Sequence, residues 1–225
     1  MMMKASNFKC LIFDLDGTLV DTAPDLLATL NVLFTRRGHR EITLGEIRTV
    51  IGLGAKSMIR KGGELTGNAF EEAEVDEIFT EYLGYYSAHI ADHSRIFSGG
   101  IEVLDAGKAA NIGLAICTNK LESLTITLLE ALNLSDYFQT VIGSDTLATM
   151  KPDPAGVFKI LKNAGCKPEE ALFIGDSIND LKAAQNASVP CVLVDYGYTQ
   201  TPAKELGPDA VISDLAELLN PLSAE

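Results

Sequence analysis

Apolar residues along this 225-residue chain follow two alternating patterns. The first is a short continuous run, seen at Cys10-Leu-Ile-Phe13, Gly113 to Cys117, Thr140 to Ile142, Ala171 to Ile174, Cys191 to Val194 and Ala210 to Ile212. These runs are mostly β-branched residues or leucine and lack strict alternation, which is how a strand covered on both faces reads. The second pattern has helical spacing and fills the gaps. It covers Ile101 to Ala110, Glu122 to Leu132 (with Leu124, Leu128, Leu129 and Leu132 on one face), Pro154 to Ala164, and Asn179 to Ala187. Strand–helix alternation predicts an α/β fold with a doubly wound, Rossmann-like parallel sheet and right-handed crossovers.

One stretch interrupts the alternation. Between Thr22 and His93 the pattern is helical and no strand is evident. Thr22-Ala-Pro-Asp25 has the spacing of a capping box, and Leu26, Leu30, Leu33 and Phe34 follow at helical intervals. Thr43-Leu-Gly-Glu46 repeats the capping pattern, and Val75, Ile78, Phe79, Tyr82 and Tyr86 mark a long helix. The expected organisation is a core of residues 1–20 and 94–225, with residues 21–93 inserted as an α-helical cap.

Composition narrows the function mainly by exclusion. The net charge is −13 and the sequence pI about 4.6, so the surface repels polyphosphate backbones. With tryptophan absent and aromatics at 7%, no stacking platform for single strands is expected either, and nucleic acid is not an expected partner. Cys10, Cys117, Cys166 and Cys191 form no CxxC pair and read as reduced thiols of a cytoplasmic protein. No leader is evident and no apolar run approaches the ~18 residues a membrane span needs, so neither secretion nor membrane insertion is expected.

Ligands of open α/β sheets bind beyond the carboxyl ends of the strands. Asp14, Asp16, Gly17 and Thr18 follow the first apolar run; Thr118 and Asn119 follow the second. Lys151 follows the third, and Gly175, Asp176, Ser177 and Asp180 close the fourth. Asp14 and Asp16, two apart on an extended chain, point the same way and repel, which a divalent cation or a proton relieves. Ligands that are all oxygen select Mg²⁺ over Zn²⁺. Two local readings stay open: Asn119 with Glu122, and Ser177 with Asp180, also have capping-box spacing.

Asp14-Leu-Asp16-Gly17-Thr18-Leu19, then Thr118-Asn119, then Lys151-Pro152, then Gly175-Asp176-Ser177-x-x-Asp180 resemble the four ordered motifs of the haloacid dehalogenase-like hydrolases. The resemblance covers almost the whole chain, the helical insert included. It implies that Asp14 attacks phosphorus and becomes an aspartyl phosphate, a form of covalent catalysis. It implies that Asp16 protonates the leaving oxygen and then activates water, its backbone carbonyl meeting Mg²⁺. Gly17, Thr118, Asn119 and Lys151 would hold the phosphoryl group. Asp14, Asp16 and Asp176 would hold the metal, with Ser177 and Asp180 in support. Dehalogenases of this superfamily lack the second aspartate, so Asp16 points to phosphoryl chemistry.

Within the superfamily the chain resembles the phosphoglycolate phosphatase branch, through Asp16-Gly-Thr-Leu-Val-Asp21, Thr118-Asn-Lys120, Lys151-Pro-Asp-Pro154 and Tyr196-Gly-Tyr198. It departs from that branch at Ile96-Phe97-Ser98, where a Pro-rich turn is usual, and at Ala187-Ser188, where Ala-Gly is usual. The expected activity is Mg²⁺-dependent hydrolysis of a small phosphomonoester, 2-phosphoglycolate first, by a monomer or homodimer. The alternatives are a broad-specificity sugar-phosphate or nucleotide phosphatase, a pyrophosphatase, or a catalytically silent binding protein on the same fold. A mutase is disfavoured, since no histidine lies between Asp21 and Leu26. Gly52-Leu-Gly54-Ala-Lys56-Ser57 faintly resembles a P-loop, but the spacing is wrong and no strand precedes it. It reads as a cap loop whose Gly52, Gly54 and Lys56, with Arg60 one turn on, meet substrate, or as a plain helix connection.

Overall fold

A computed structural model of the chain describes residues 8–48, 50–52, 54–67 and 69–220. The described residues open with β1 (Cys10–Phe13) and β2 (Val20–Asp21), followed by helices α1 (Ala23–Thr35), α2 (Leu44–Arg48), α3 (Ala55–Leu65) and α4 (Glu72–Ala88). After β3 (Arg95–Ile96) strands and helices alternate: α5 (Gly100–Ala109), β4 (Gly113–Cys117), α6 (Glu122–Ala131), β5 (Thr140–Ile142), α7 (Ala155–Ala164) and β6 (Ala171–Gly175). The described chain ends through α8 (Ile178–Asn186), β7 (Cys191–Val194), α9 (Ala203–Leu206) and β8 (Ala210–Ile212). No described helix is long and apolar enough to cross a membrane.

Each of the six expected runs is a strand, and together they form one parallel sheet in the order β5-β4-β1-β6-β7-β8. β1 lies in the middle, with Leu11 paired to Leu114 on one side and to Leu172 on the other. Alternate residues of β1 feed opposite faces. Leu11 and Phe13 join one apolar cluster with Leu114 and Ile174; Cys10 and Ile12 join another with Ala115, Phe173 and Val157. The chain leaves β1 and later builds outward on both sides, so the carboxyl end of β1 is the point where strand order reverses.

The helices α1 to α4 pack on one another through Leu26, Leu30, Leu33, Ile59, Val75, Ile78 and Tyr82, all part of the apolar cluster that includes Leu11 and Phe13. Gly62 in α3 abuts the Phe34 ring so closely that a Cβ there would come within 2.6 Å of it. A glycine is therefore what lets α3 approach α1.

Among the described residues no strand lies between Thr22 and His93, as expected, but two strands that the sequence did not reveal flank that stretch. β2 and β3 pair antiparallel there, Val20 with Ile96 and Asp21 with Arg95, and at two residues each they are too short to show a period. Two local expectations fail for physical reasons. The first is the length of the loop expected from Gly52 to Ser57: α3 starts directly behind Gly54, so Ala55, Lys56 and Ser57 form its first turn. The second is the capping box at Thr22. Its hydroxyl donates to Asp16 instead, at 2.7 Å. Asp25, 2% exposed, accepts from the backbone of His93 and Ser94 and from the Ser94 hydroxyl at 2.7–3.1 Å. Both side chains serve long-range bonds, and the helix start goes uncapped. By contrast, the boxes at Thr43/Glu46 and Ser177/Asp180 form.

Helix α8 ends as its sequence suggested. Ser188, exposed, holds φ at +59°, with Ser188 N–H bonded to Gln185 and Val189 N–H to Ala184. A β-carbon is strained in this left-handed conformation. Ser188→Gly is therefore expected to stabilise the protein by about 0.5–1 kcal/mol, read as a higher urea midpoint with an unchanged slope.

Candidate active site

The sheet delivers its polar residues to one edge. Asp14 extends β1 by one bond, its N–H donating to Ile174 O at 2.8 Å, and Thr118 extends β4 with a bond of 2.9 Å to Ile142 O. Asp14 is 6% exposed, Thr118 3%, Lys151 5%, Asp176 3% and Asp180 not at all. Lys151 Nζ sits 2.8 Å from Asp14 Oδ1 and 2.5 Å from Asp180 Oδ1. The peptide bond from Lys151 to Pro152 is cis.

The four aspartates are not equivalent. Asp180 spends its second oxygen on the N–H groups of Asp176 and Ser177, at 3.2 and 3.0 Å, and on the Ser177 hydroxyl at 2.6 Å. It is fully hydrogen-bonded and acts as a bracket. Asp176 Oδ2 accepts from Tyr198 N–H at 2.6 Å. Among the described residues no hydrogen bond reaches Asp14 Oδ2 or Asp176 Oδ1. Asp14, Asp176 and Asp180 offer carboxylate oxygens that all lie within 4.8 Å of one another. The Asp16 side chain turns elsewhere: its Oδ1 receives Thr22 Oγ1 at 2.7 Å and Lys120 Nζ at 2.9 Å.

This crowding sets the electrostatics. Burial pushes the Asp14 carboxyl up to about 7; Lys151 pulls against it, while Asp180 and Asp16 add repulsion. Burial, then the charges of Asp180 and Asp14, drive Asp176 well above the usual carboxylate range. Burial disfavours the charged form of Lys151, but Asp14 and Asp180 outweigh it and hold the side chain as an ammonium, above the usual lysine range. One buried cation thus faces three buried carboxylates, and the deficit is one that a divalent cation with oxygen ligands would fill.

The loop geometry requires glycine at position 17. Gly17 has φ of +87°, and a Cβ there would lie 2.8 Å from both Asp176 Oδ2 and the Tyr198 ring. Tyr198 in turn ties the loop to α1. Its hydroxyl accepts from the N–H groups of Thr22 and Ala23 at 2.8 and 3.0 Å and donates to Asp21 at 2.6 Å.

A cavity of about 270 Å³ opens over Asp14. Asp14, Asp16, Thr118, Asn119, Lys151 and Ser177 line its sheet side; Leu26, Gly52, Gly54, Lys56, Phe79 and Tyr82 line the side formed by the helical insert. Lys56 is paired with Asp76 at 2.6 Å and lies over the Phe79 ring. Arg60, expected to meet substrate with Lys56, is placed elsewhere. It does not line the cavity, because its guanidinium is turned to Glu72 at 2.7–2.8 Å on the surface. Asn119 is not a helix cap either; Leu121 takes that position, and Asn119 Nδ2 donates to Gly52 O and Lys151 O at 3.2 Å each. Its Oδ1 is buried and has no hydrogen-bond partner among the described residues.

Lys120, marked in the sequence only as the end of Thr118-Asn-Lys120, is 9% exposed and bonded to both Asp16 and Tyr86. Its place directly after Thr118-Asn119 was the available signal for a role at the site. Tyr198, marked only as the end of Tyr196-Gly-Tyr198, bonds through its hydroxyl to Thr22, 176 residues away, which leaves no local trace.

The family model described as haloacid dehalogenase-like hydrolase matches residues 11–194. The chain is 42% identical to the phosphoglycolate phosphatase of Agrobacterium fabrum over 207 residues, 92% of this chain and 89% of that one. It is 39% identical to the phosphoglycolate phosphatase of Caulobacter vibrioides, over 94% of this chain and 90% of that one. A crystal structure described as a predicted phosphoglycolate phosphatase from Haemophilus somnus superposes with a TM-score of 0.89 at 30% identity, over 95% of this chain and 97% of that one. With four motifs gathered at one sheet edge and similarity running through sheet and insert alike, the chain belongs to the haloacid dehalogenase-like hydrolases.

Proposed function

We propose that the chain is a cytoplasmic, Mg²⁺-dependent phosphatase that hydrolyses 2-phosphoglycolate through an aspartyl phosphate on Asp14. The observation that carries this reading is Asp14 itself: a buried carboxylate, oriented by Lys151 and, among the described residues, with one oxygen unbonded, lining the cavity between the sheet edge and helices α1 to α4. The substrate class rests on size and kinship. A cavity of about 270 Å³ has room for a small phosphomonoester over Asp14. The relatives from Agrobacterium fabrum and Caulobacter vibrioides are phosphoglycolate phosphatases.

Asp14 attacks phosphorus as the bond to the leaving oxygen breaks, and Asp16 passes its proton to that oxygen. Asp16, now a carboxylate, takes a proton from water. The water oxygen bonds to phosphorus, the Asp14–phosphorus bond breaks, and phosphate leaves. Thr118 Oγ1, the Gly17 and Asn119 backbones and the Lys151 ammonium hold the phosphoryl oxygens. Asp180 and Ser177 keep Lys151 in place. Residues 21–93 act as a cap that excludes water while Asp14 is phosphorylated. The first turn of α3, whose leading amides lack intrahelical acceptors, receives the substrate carboxylate together with Lys56 and Gly54.

Mg²⁺ fits the oxygen-only, charge-deficient cluster, where the Asp14 and Asp176 carboxylates and the Asp16 backbone carbonyl would hold it. When bound, it supplies positive charge that screens the nucleophile from the phosphoryl oxygens.

Asp14→Asn is expected to lower kcat by at least about a thousandfold with the fold retained, as checked by phosphate release and circular dichroism. Across a panel of phosphomonoesters, 2-phosphoglycolate should give the highest kcat/KM; a flat profile would reassign the substrate and leave the chemistry. Activity should vanish with excess chelator and return with Mg²⁺ or Mn²⁺. The raised carboxyl of Asp14 also has a stability consequence. A group whose folded pKa is raised contributes stability below its unfolded value and loses it as pH climbs through the folded one, here about 7. The metal-free wild type should therefore lose thermal stability relative to metal-free Asp14→Asn between pH 5 and pH 8, and Mg²⁺ should restore the wild type.

A further inference from the structure

Lys120 is a buried charge to which the mechanism above gives no task. It follows Thr118 and Asn119 beyond β4 and is 9% exposed. Its Nζ lies 2.9 Å from Asp16 Oδ1 and 3.2 Å from Asp16 Oδ2, and it donates to Tyr86 Oη at 2.9 Å. Tyr86 belongs to α4, is fully buried, and stacks at 5.3 Å on Tyr82, which lines the cavity. A single ammonium therefore joins a carboxylate on the loop after β1 to a helix of the insert. Lysine is seldom buried unless paired, and here its two partners come from the two sides of the cavity.

We propose that Lys120 is the positioning residue for proton transfer by Asp16, seated by Tyr86. The inference rests on the reading of Asp16 as the proton carrier. Asp16 must aim one oxygen at the leaving group, and side-chain rotation would carry it off target. Two bonds from Lys120 and one from Thr22 remove that freedom. When the Asp16 proton moves to the leaving oxygen, with the phosphorus–oxygen bond breaking and the bond to Asp14 forming, the carboxylate left behind already has its counter-charge. No reorganisation is then needed at the moment of transfer. Tyr86 accepts from the same ammonium, so aim at the leaving group depends on α4 being in place.

A lysine that merely neutralised charge or supported the fold would affect all substrates alike. A positioning role depends on the leaving group. A p-nitrophenolate departs without a proton, whereas an alkoxide needs one. The experiment compares kcat/KM, which covers steps up to leaving-group departure, for p-nitrophenyl phosphate and for an alkyl phosphate that the wild type turns over. Lys120→Met, Tyr86→Phe and Asp16→Asn are measured together, with thermal midpoints to confirm folding. Lys120→Met should lose about a hundredfold on the alkyl ester and less than about tenfold on the nitrophenyl ester. Tyr86→Phe, which removes one hydroxyl and no charge, should shift the same ratio by several-fold. Equal losses on both esters in Lys120→Met and Tyr86→Phe, with Asp16→Asn still selective for the alkyl ester, would overturn the role of Lys120 alone. An unselective Asp16→Asn would remove Asp16 as proton carrier, and the inference with it.

Discussion

The site depends on one buried ammonium. Lys151 lies between Asp14 and Asp180, at 2.8 and 2.5 Å, and all three side chains are at least nine-tenths buried. Removing these charges from water costs several kcal/mol per ion, and the loss is offset only where every remaining lone pair finds a donor. Asp180 meets that condition through Ser177 and the backbone of Asp176. Asp14 does not, because one of its oxygens stays unbonded toward the cavity. A fully satisfied bracket on one side and an unsatisfied carboxylate on the other is what a nucleophile in a charged pocket requires. The same arrangement leaves Asp176 uncompensated, which is where a divalent cation would enter the charge balance.

That arrangement requires the particular sheet order seen here. β1 is the central strand, flanked by β4 and β6, so the loops after three adjacent strands meet over one point. Asp14 comes from the first, Thr118 and Lys120 from the second, Asp176 and Asp180 from the third. Their separation in sequence exceeds 160 residues between Asp14 and Asp180, yet adjacent strands lie only about 4.8 Å apart. Helices α1 to α4 line the other side of the cavity, and side chains cross between the two: Thr22 to Asp16, Lys120 to Tyr86, Asn119 to Gly52, and Tyr198 to the backbone of Thr22 and Ala23.

The strands were legible in the sequence because fully buried parallel strands are continuously apolar, as in Cys10–Phe13. The candidate residues after them were legible because a carboxylate at the end of such a run is conspicuous. β2 and β3 were not, since two residues carry no periodicity. The Thr22 and Asp25 side chains misled because capping spacing is a local signal, and long-range partners at Asp16 and Ser94 outcompeted it. Arg60 misled in the same way: one helical turn from Lys56, it is drawn to the surface by Glu72. The role of Lys120 was hidden by its type, because a lysine after a strand is ordinarily a solvated one, and its partners Asp16 and Tyr86 lie 104 and 34 residues earlier in the chain.

The central claim is that Asp14 is transiently phosphorylated. Borohydride reduces an acyl phosphate to the alcohol and leaves a free carboxylate untouched, so an aspartyl phosphate trapped during turnover becomes homoserine. Peptide mass spectrometry of the enzyme quenched into borohydride with 2-phosphoglycolate and Mg²⁺ present should find homoserine at position 14, and none when substrate is omitted. Homoserine at another aspartate, or an intact Asp14 in enzyme shown to be turning over, would contradict the account.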